Sequence, residues 1–184
     1  PTLGSRATLL VLAGCYIAAS AVIIAMRERA STLARQPLVA TAVFVVAALA
    51  TPDPFTAAIA RRHGPDFHEI WREEGAQTAV SVQTNGQMRV MFLDGLHQAN
   101  YSAEMIGLHR RIGHLPMVLH PNPSRALVVG LGGGATAGAV SQHPGVEVQV
   151  VELSPSVVRA AAQFAHVNYQ VLNHPRVHVR RDDG

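Results

Sequence analysis

The chain has 184 residues, enough for one ordinary domain or for a small domain with an appendage. Hydrophobic residues make up 48% and charged residues 15%, a low charged share for a water-soluble domain. The net charge is +3 with the arginines scattered, so no basic stripe interleaved with aromatics supports nucleic-acid binding, and the single cysteine, Cys15, excludes an internal disulfide and a cysteine-rich metal site.

The apolar excess lies near the N-terminus. From Ala7 to Ala25 runs ATLLVLAGCYIAASAVIIA, with no charge inside it and Arg6, Arg27 and Arg29 at its edges. A helix of this length roughly matches the ~30 Å apolar core of a bilayer. Its small residues Ala13, Gly14, Ala18 and Ala19 suit close packing against another helix. No A-x-A-like cleavage site closes the run, and a second apolar stretch, Pro37 to Ala50, follows it, which favours a transmembrane helix over a signal peptide. Thr51-Pro52-Asp53-Pro54 breaks the second stretch. The expectation for residues 1–62 is a membrane region of one or two transmembrane helices, in a multi-pass protein whose soluble part is cytoplasmic. Arg27, Arg29 and Arg35 lie between the two runs and Arg61 and Arg62 follow the second. The positive-inside rule would put both sets on the cytoplasmic side, which two full spans cannot satisfy, so the topology stays open.

Past Arg62 the composition turns polar, up to Trp71. Ala76 to Gln83 and Gln87 to Asp94 read as strands, and Asn85-Gly86 between them predicts a hairpin through a type I′ turn. Ser102 to Leu115 reads as a helix with Ser102 as N-cap, Met105, Ile106, Leu108 and Ile112 at helical spacing, and Pro116 near its end. His120 to Arg125, HPNPSR, is a turn.

A β-α-β-α-β pattern follows. Ala126 to Val129 is a short apolar run, as expected of a parallel strand covered on both faces. Thr136 to His143 forms the first helix, and Val146 to Val151 the second strand, ending at Glu152. Ser154 begins the second helix, with Pro155 in its first turn, where a missing N–H costs nothing. Arg176 to Val179 is the third strand, before Asp182-Asp183-Gly184. Three parallel strands leave an open edge and half a core, so the domain is expected to continue. The fold class is α/β: N-terminal transmembrane helices, a small β-hairpin plus helix subdomain at 63–122, then the first half of a Rossmann-like nucleoside-binding domain at 123–184.

The spacing Gly130-x-Gly132-x-x-Ala135 fits the relaxed dinucleotide fingerprint, and Glu152 stands about 20 residues on, as that fingerprint requires. Gly130, Gly132 and Gly134 let backbone approach a ligand, and Glu152 can accept from both ribose hydroxyls or cap the following helix. Several cofactor classes share this geometry, and a glycine turn without ligand shares it too. A pyrophosphate binder places phosphate at the helix start, whereas an S-adenosyl ligand needs acidic and amide groups instead. Asp182-Asp183-Gly184 after the third strand falls where an adenine amino group is reached, favouring the S-adenosyl ligand over NAD; the same residues also suit an ordinary turn. His97, His109, His114 and His120 crowd one region, but without metal-ligand spacing or an acidic partner set, so no metal site is expected. Trp71 and Tyr101 read as packing residues, and Asp94-Gly95 as a turn.

From Gln77 to Gly184 the order of motifs resembles the first half of a spermidine synthase (polyamine aminopropyltransferase). The family's L-D-G-x-x-Q is Leu93-Asp94-Gly95-Leu96-His97-Gln98. Its Y-H-E-x-x-x-H-x-P reads Leu108-His109-Arg110 and His114-Leu115-Pro116, and its H-P-x-P before the glycine turn is His120-Pro121-Asn122-Pro123. V-E-I-D is Val151-Glu152-Leu153-Ser154, and D-P-R-V…D-D-G is His174-Pro175-Arg176-Val177…Asp182-Asp183-Gly184. With apolar segments ahead of it, the chain is most similar to the bacterial membrane-fused spermidine synthase-like proteins.

The resemblance implies that Glu152 holds the ribose of decarboxylated S-adenosylmethionine or of methylthioadenosine, that Asp183 and Gly184 meet the adenine, that Gln77 contacts the nucleoside, and that His109 lies near the polyamine. The adenosyl compound is a co-substrate, with no tightly bound cofactor. It also implies departures: the aspartate of the family's G-G-G-D-G falls on Gly133, the tyrosine and glutamate of Y-H-E on Leu108 and Arg110, and of the D-E pair after the hairpin only Glu104 offers a match. The family's catalytic aspartate is expected beyond Gly184, so no catalytic residue is named here. The leading expectation is thus a membrane-tethered transferase of polyamine biosynthesis, acting on a small-molecule amine, with a homo-oligomer as a candidate assembly that the sequence leaves open. The alternatives are an S-adenosylmethionine-dependent methyltransferase-like protein, or a non-catalytic membrane protein whose Rossmann-like domain binds an adenosyl ligand or a partner.

Overall fold

The computed structural model describes residues 4–25, 32–50, 53–64 and 66–182, in two compact units that divide between Ala58 and Ile59. In the first, α1 (Gly4–Ala25) and α2 (Thr32–Ala50) form an antiparallel pair. The Arg6 guanidinium at the start of α1 donates to the carbonyls of Ala48 (3.1 Å) and Leu49 (3.4 Å) in the last turn of α2, where a cation also suits the helix dipole. Leu9, Leu12, Ala13 and Tyr16 face Ala40, Thr41 and Phe44 across a shallow groove. Outside the groove Val22, Val43 and Val46 are all exposed. One helix, α1, has a window (Arg6–Ile23) long and apolar enough to cross a membrane; in α2 the apolar part is the shorter Val39–Ala50. Thr51 and Pro52 of the break expected at Thr51–Pro54 lie outside the described residues; after them Pro54 opens a further helix, α3 (Pro54–His63), at the position where proline is tolerated best.

The second unit begins with an antiparallel sheet of β1 (His68–Glu74), β2 (Ala79–Thr84), β3 (Arg89–Leu93) and β4 (Leu96–Asn100), paired in that order. The hairpin read from the sequence is its centre, β2–β3. The edge strands HEIWREE and LHQAN carry too many polar residues to announce themselves, and pairing with β2 and β3 makes them strands. The turn chemistry also differs from expectation. Thr84 pairs with Arg89, so the Asn85-Gly86 loop has four residues, and of that pair only Gly86 has positive φ. Asn85 instead accepts with Oδ1 from the amides of Gln87 (3.1 Å) and Met88 (2.7 Å), a side-chain mimic of a turn that a two-residue loop has no room for. The pair with positive φ at both positions, as a type I′ turn requires, is Asp94-Gly95 (49° and 80°) between the partners Leu93 and Leu96. The Asp94 carboxylate then reaches the Ala79 amide (2.8 Å) and accepts from the Thr78 hydroxyl (2.9 Å), locking one hairpin end to the next.

Helix α4 (Ala103–Leu119) starts as expected, with the Met105 amide donating to Ser102 Oγ at 3.3 Å. It runs past Leu115 because Pro116, already in the last turn, forfeits a single backbone bond there. Its buried face is not the expected one: Leu108 and Ile112 are 46% and 51% exposed, while Ile106 and Gly113 are buried. Gly113 decides this. A Cβ there would stand 2.6 Å from the Thr136 carbonyl, so the side that lacks a side chain is the side that packs on the next helix.

The β-α-β-α-β region follows as β5 (Arg125–Val129), α5 (Ala135–Ser141), β6 (Glu147–Glu152), α6 (Pro155–Ala161) and β7 (Val177–Arg181), a parallel sheet in the order β5-β6-β7. Val148 and Val150 are fully buried in a core with Ala137, Val140, Ala161 and Val171. Alternate residues turn to the other face, and there Leu127 and Val129 are exposed. Among the described residues β5 is therefore covered on one face, not on the two its apolar run suggested. A second core joins the sheets: Val80, Val82, Met91 and Ala99 pack against Val157, Ala160 and Phe164. The hairpin segment and the parallel-sheet segment thus share an interior.

Candidate functional site

β5 ends against its neighbour, the Gly130 amide donating to the Val151 carbonyl at 2.8 Å, and the chain turns through Gly130, Gly132 and Gly134, with φ of 81°, 52° and 81°. Only glycine adopts these values freely. At Gly134 space forbids a side chain as well, because a Cβ would lie 2.8 Å from Val171 Cγ1 and 3.0 Å from Asn168 Nδ2. Gly133 is different. Its φ is not left-handed, and a Cβ there would meet Ala99 Cβ at 3.2 Å and the Phe164 ring at 3.8 Å.

The turn is held from below by Asn168, whose buried amide donates to the carbonyls of Gly133 and Ala161, both at 3.0 Å. The two residues after it, Tyr169 and Gln170, have φ of 58° and 51°, a conformation uncommon outside glycine. Arg110, at the place of the family's glutamate, holds this bend: its guanidinium lies 4.7 Å from the Tyr169 ring centroid and donates to the Val167 carbonyl at 3.1 Å. Nothing in the local sequence marks Asn168, since an asparagine beside a helix end is unremarkable until its partner 35 residues away is known.

Glu152 closes the turn from the other side. Its buried carboxylate accepts from the Leu131 amide through Oε2 (2.8 Å) and from the Ser154 amide through Oε1 (2.9 Å). It therefore caps α6 and fixes the glycine turn together, and each oxygen keeps a lone pair for a ligand hydroxyl. On the facing wall His109 of α4 places Nδ1 3.3 Å from Thr136 Oγ1.

These groups surround one cavity of about 410 Å³, of the size small-molecule sites take. Residues 130–136 form its floor, Glu152 and His109 its walls, and Leu93, Ile106, Val157 and Phe164 its apolar lining. Gln98 and Asn100 of β4 and its end also line it, functional candidates hidden in a polar edge strand. Of the residues chosen from sequence, the fold brings together Gly130, Gly132, Gly134, Glu152 and His109. Gln77 lies exposed on the connection between β1 and β2 and is not among the lining residues. Asp183 and Gly184 fall outside the described residues; the Asp182 amide before them donates to the Glu152 carbonyl at 3.3 Å. The other histidines disperse: His114 pairs with His143 (3.0 Å), His97 with Asn100 (3.1 Å), and His120 accepts from the Asn122 amide (3.2 Å). Among the described residues no three metal-ligating side chains converge.

Residues 105–184 match the family model of the spermine/spermidine synthase domain. The polyamine aminopropyltransferase of Thermoanaerobacter sp. (strain X514) is 37% identical over 97 residues, covering 52% of this chain and 35% of that protein. The polyamine aminopropyltransferase of Bacillus subtilis (strain 168) is 33% identical over 104 residues, covering 56% and 37%. In three dimensions the chain is similar to the spermidine synthase from Thermotoga maritima, with a TM-score of 0.57 at 26% identity over 62% of this chain and 41% of that one. It is similar also to a spermidine synthase in complex with the transition state analogue AdoDATO, with a TM-score of 0.56 at 27% identity over 62% and 39%. The chain spans little more than a third of the length of these curated relatives. Motif order, fold and sequence matches agree: residues 105–184 match the spermine/spermidine synthase domain, and the chain is similar to spermidine synthases over about six tenths of its length.

Proposed function

We propose that the cavity takes the adenosyl part of decarboxylated S-adenosylmethionine, or of its product methylthioadenosine, and that the whole protein transfers an aminopropyl group to a polyamine amine. The observation that carries this is the Glu152 carboxylate, fixed by two backbone amides beside an open glycine turn and facing His109 across one cavity. A carboxylate so held presents its remaining lone pairs to paired hydroxyls in a set direction, which is what a ribose needs. Asp183 and Gly184 are assigned to the adenine in this reading. Gln77, on the connection between β1 and β2, is assigned to the nucleoside in the same reading.

The chemistry is a displacement: the amine nitrogen forms a bond to the carbon beside the sulfonium, the C–S bond breaks with its electron pair going to sulfur, and the new ammonium gives up a proton. The neutral thioether is already a good leaving group, so the protein's share is chiefly orientation. Tethering to a membrane through the α1–α2 hairpin belongs to the same proposal. It rests on the apolar window of α1 and the exposed apolar surface of both helices. Reporter fusions after residue 64 would show on which side the soluble unit lies.

Gly133 favours a second reading, a methyltransferase-like use of S-adenosylmethionine, because the family's acid for the donor's amine is replaced there. Calorimetry on the natural protein with decarboxylated S-adenosylmethionine, S-adenosylmethionine and methylthioadenosine separates the two. The first reading expects the decarboxylated donor to bind tighter than the carboxylated one. Glu152→Gln, which turns an NH₂ toward a backbone N–H, should weaken binding by about tenfold or more, the scale of a lost charge-assisted bond. The opposite donor preference would support the methyltransferase reading, and heat with none of the three would leave a non-catalytic domain.

A further inference from the structure

His109 and Thr136 sit on different helices, yet their side chains meet at 3.3 Å, and both line the cavity. The meeting depends on Gly113, four residues after His109 on the same side of α4. A Cβ at Gly113 would lie 2.6 Å from the Thr136 carbonyl and 2.9 Å from Ala139 Cβ, so any larger residue would push the two helices, and with them the His109–Thr136 pair, apart. With Nδ1 engaged, Nε2 is the ring nitrogen left for a bound molecule.

We infer that Thr136 is a positioning residue for His109, holding the ring by Nδ1–H and thereby presenting a bare Nε2 to the attacking amine. The amine as partner rests on the function proposed above; the pairing itself does not. The tautomer follows from the chemistry. An attacking amine must aim its lone pair at carbon, so the protein can hold it only through its N–H groups. Those need an acceptor, and Nε2 accepts only when the ring proton is on Nδ1. A threonine hydroxyl facing Nδ1 accepts that proton's hydrogen bond. The common alternative, a proton on Nε2, would present a donor to a group that has no lone pair to spare.

The test reads the imidazole directly. In the natural protein with ¹⁵N-labelled histidine, without substrate and at a pH where the ring is neutral, His109 (identified by its loss in His109→Gln) should show a protonated Nδ1 and a bare Nε2. Thr136→Val should shift this toward the Nε2–H tautomer, Thr136→Ala should do the same, and Thr136→Ser should restore it. In turnover, Thr136→Val should lower kcat/KM for the amine by about tenfold, the scale of one lost hydrogen bond, without changing KM for the adenosyl donor. A wild-type His109 with its proton on Nε2, or nitrogen shifts unmoved in both Thr136 variants, would overturn the inference. Expected shifts in a protein that turns over no amine would leave the pairing standing and sink the aminopropyl reading instead.

Discussion

In the α1–α2 hairpin, Leu12 and Val46 stand 60% and 65% exposed although their sequence neighbours are apolar; in β6, Val148 and Val150 are fully buried although Glu147 and Gln149 flank them. Apolarity alone does not make an interior. The strand alternates, so its valines fall on one face, and α5 and α6 cover that face. Among the described residues of α1 and α2, apolar side chains such as Leu9, Val22, Val43 and Leu49 stay exposed, because two helices bury only the strip between them. The second unit builds its own apolar interior, whereas the α1–α2 pair leaves much of its apolar surface uncovered.

Substituting the same residue in both regions gives the sharpest break. A Cβ at Gly138 would fall 2.1 Å from the Asn168 carbonyl oxygen, whereas one at Gly14 in α1 meets nothing within 4 Å. Gly138→Ala should destabilise the soluble unit by about 3 kcal/mol or more, the upper range of overpacking. The midpoint of the fluorescence transition of Trp71, the chain's single tryptophan and packed on the shared core, checks this. Gly14→Ala should leave that midpoint where it is; equal shifts would mean the two units are not energetically separate.

A charge in the hairpin comes next. Leu12→Arg should disfavour membrane insertion by about 3 kcal/mol, the cost of a mid-helix arginine, and release protein from the membrane fraction with the Trp71 transition intact. Retention in that fraction would count against α1 as the anchor.

The smallest effect expected is on the tie between β1 and α6. Glu73 accepts from Arg159 (Nε, 2.6 Å) and from the Ser156 hydroxyl (2.8 Å), and the Arg159 bond chiefly holds its carboxyl below the ordinary value of 4.5. A carboxyl lowered in the folded state contributes in full above its unfolded pKa, and the contribution is lost as the pH falls through the folded value. Arg159→Ala should therefore flatten the acid end of a midpoint-against-pH curve and lower the neutral plateau slightly, the pair being exposed. Parallel curves would assign the acid sensitivity elsewhere.

What was readable in the sequence follows the same division. The parallel strands, the glycine turn and Glu152 were legible because their signals are local: apolar runs, a fixed spacing, an acid at a strand end. β1 and β4 were not, since edge strands owe their state to a neighbour. Leu108 and Ile112 misled because α4 offers an apolar face and a smooth face, and packing chose the smooth one at Gly113. Thr136 and Asn168 were invisible for a related reason. Each has a partner on the cavity 27 or 35 residues away, His109 in one case and the Gly133 carbonyl in the other.

Gly133 has a consequence for descent. Gly134 and Gly138 are held by backbone angle or by contact with the Asn168 bend, and a side chain at either would have to displace the bend itself. Gly133 has neither constraint: its backbone suits any residue, and a Cβ there asks only that Ala99 yield by a few tenths of an ångström. One base change turns any glycine codon into an acidic one, aspartate for two of the four and glutamate for the other two. The turn's shape is thus hard to lose by mutation, while an acidic side chain at its centre lies a single base change away, so a lineage of such proteins can alter the charge of this cavity without rebuilding its walls.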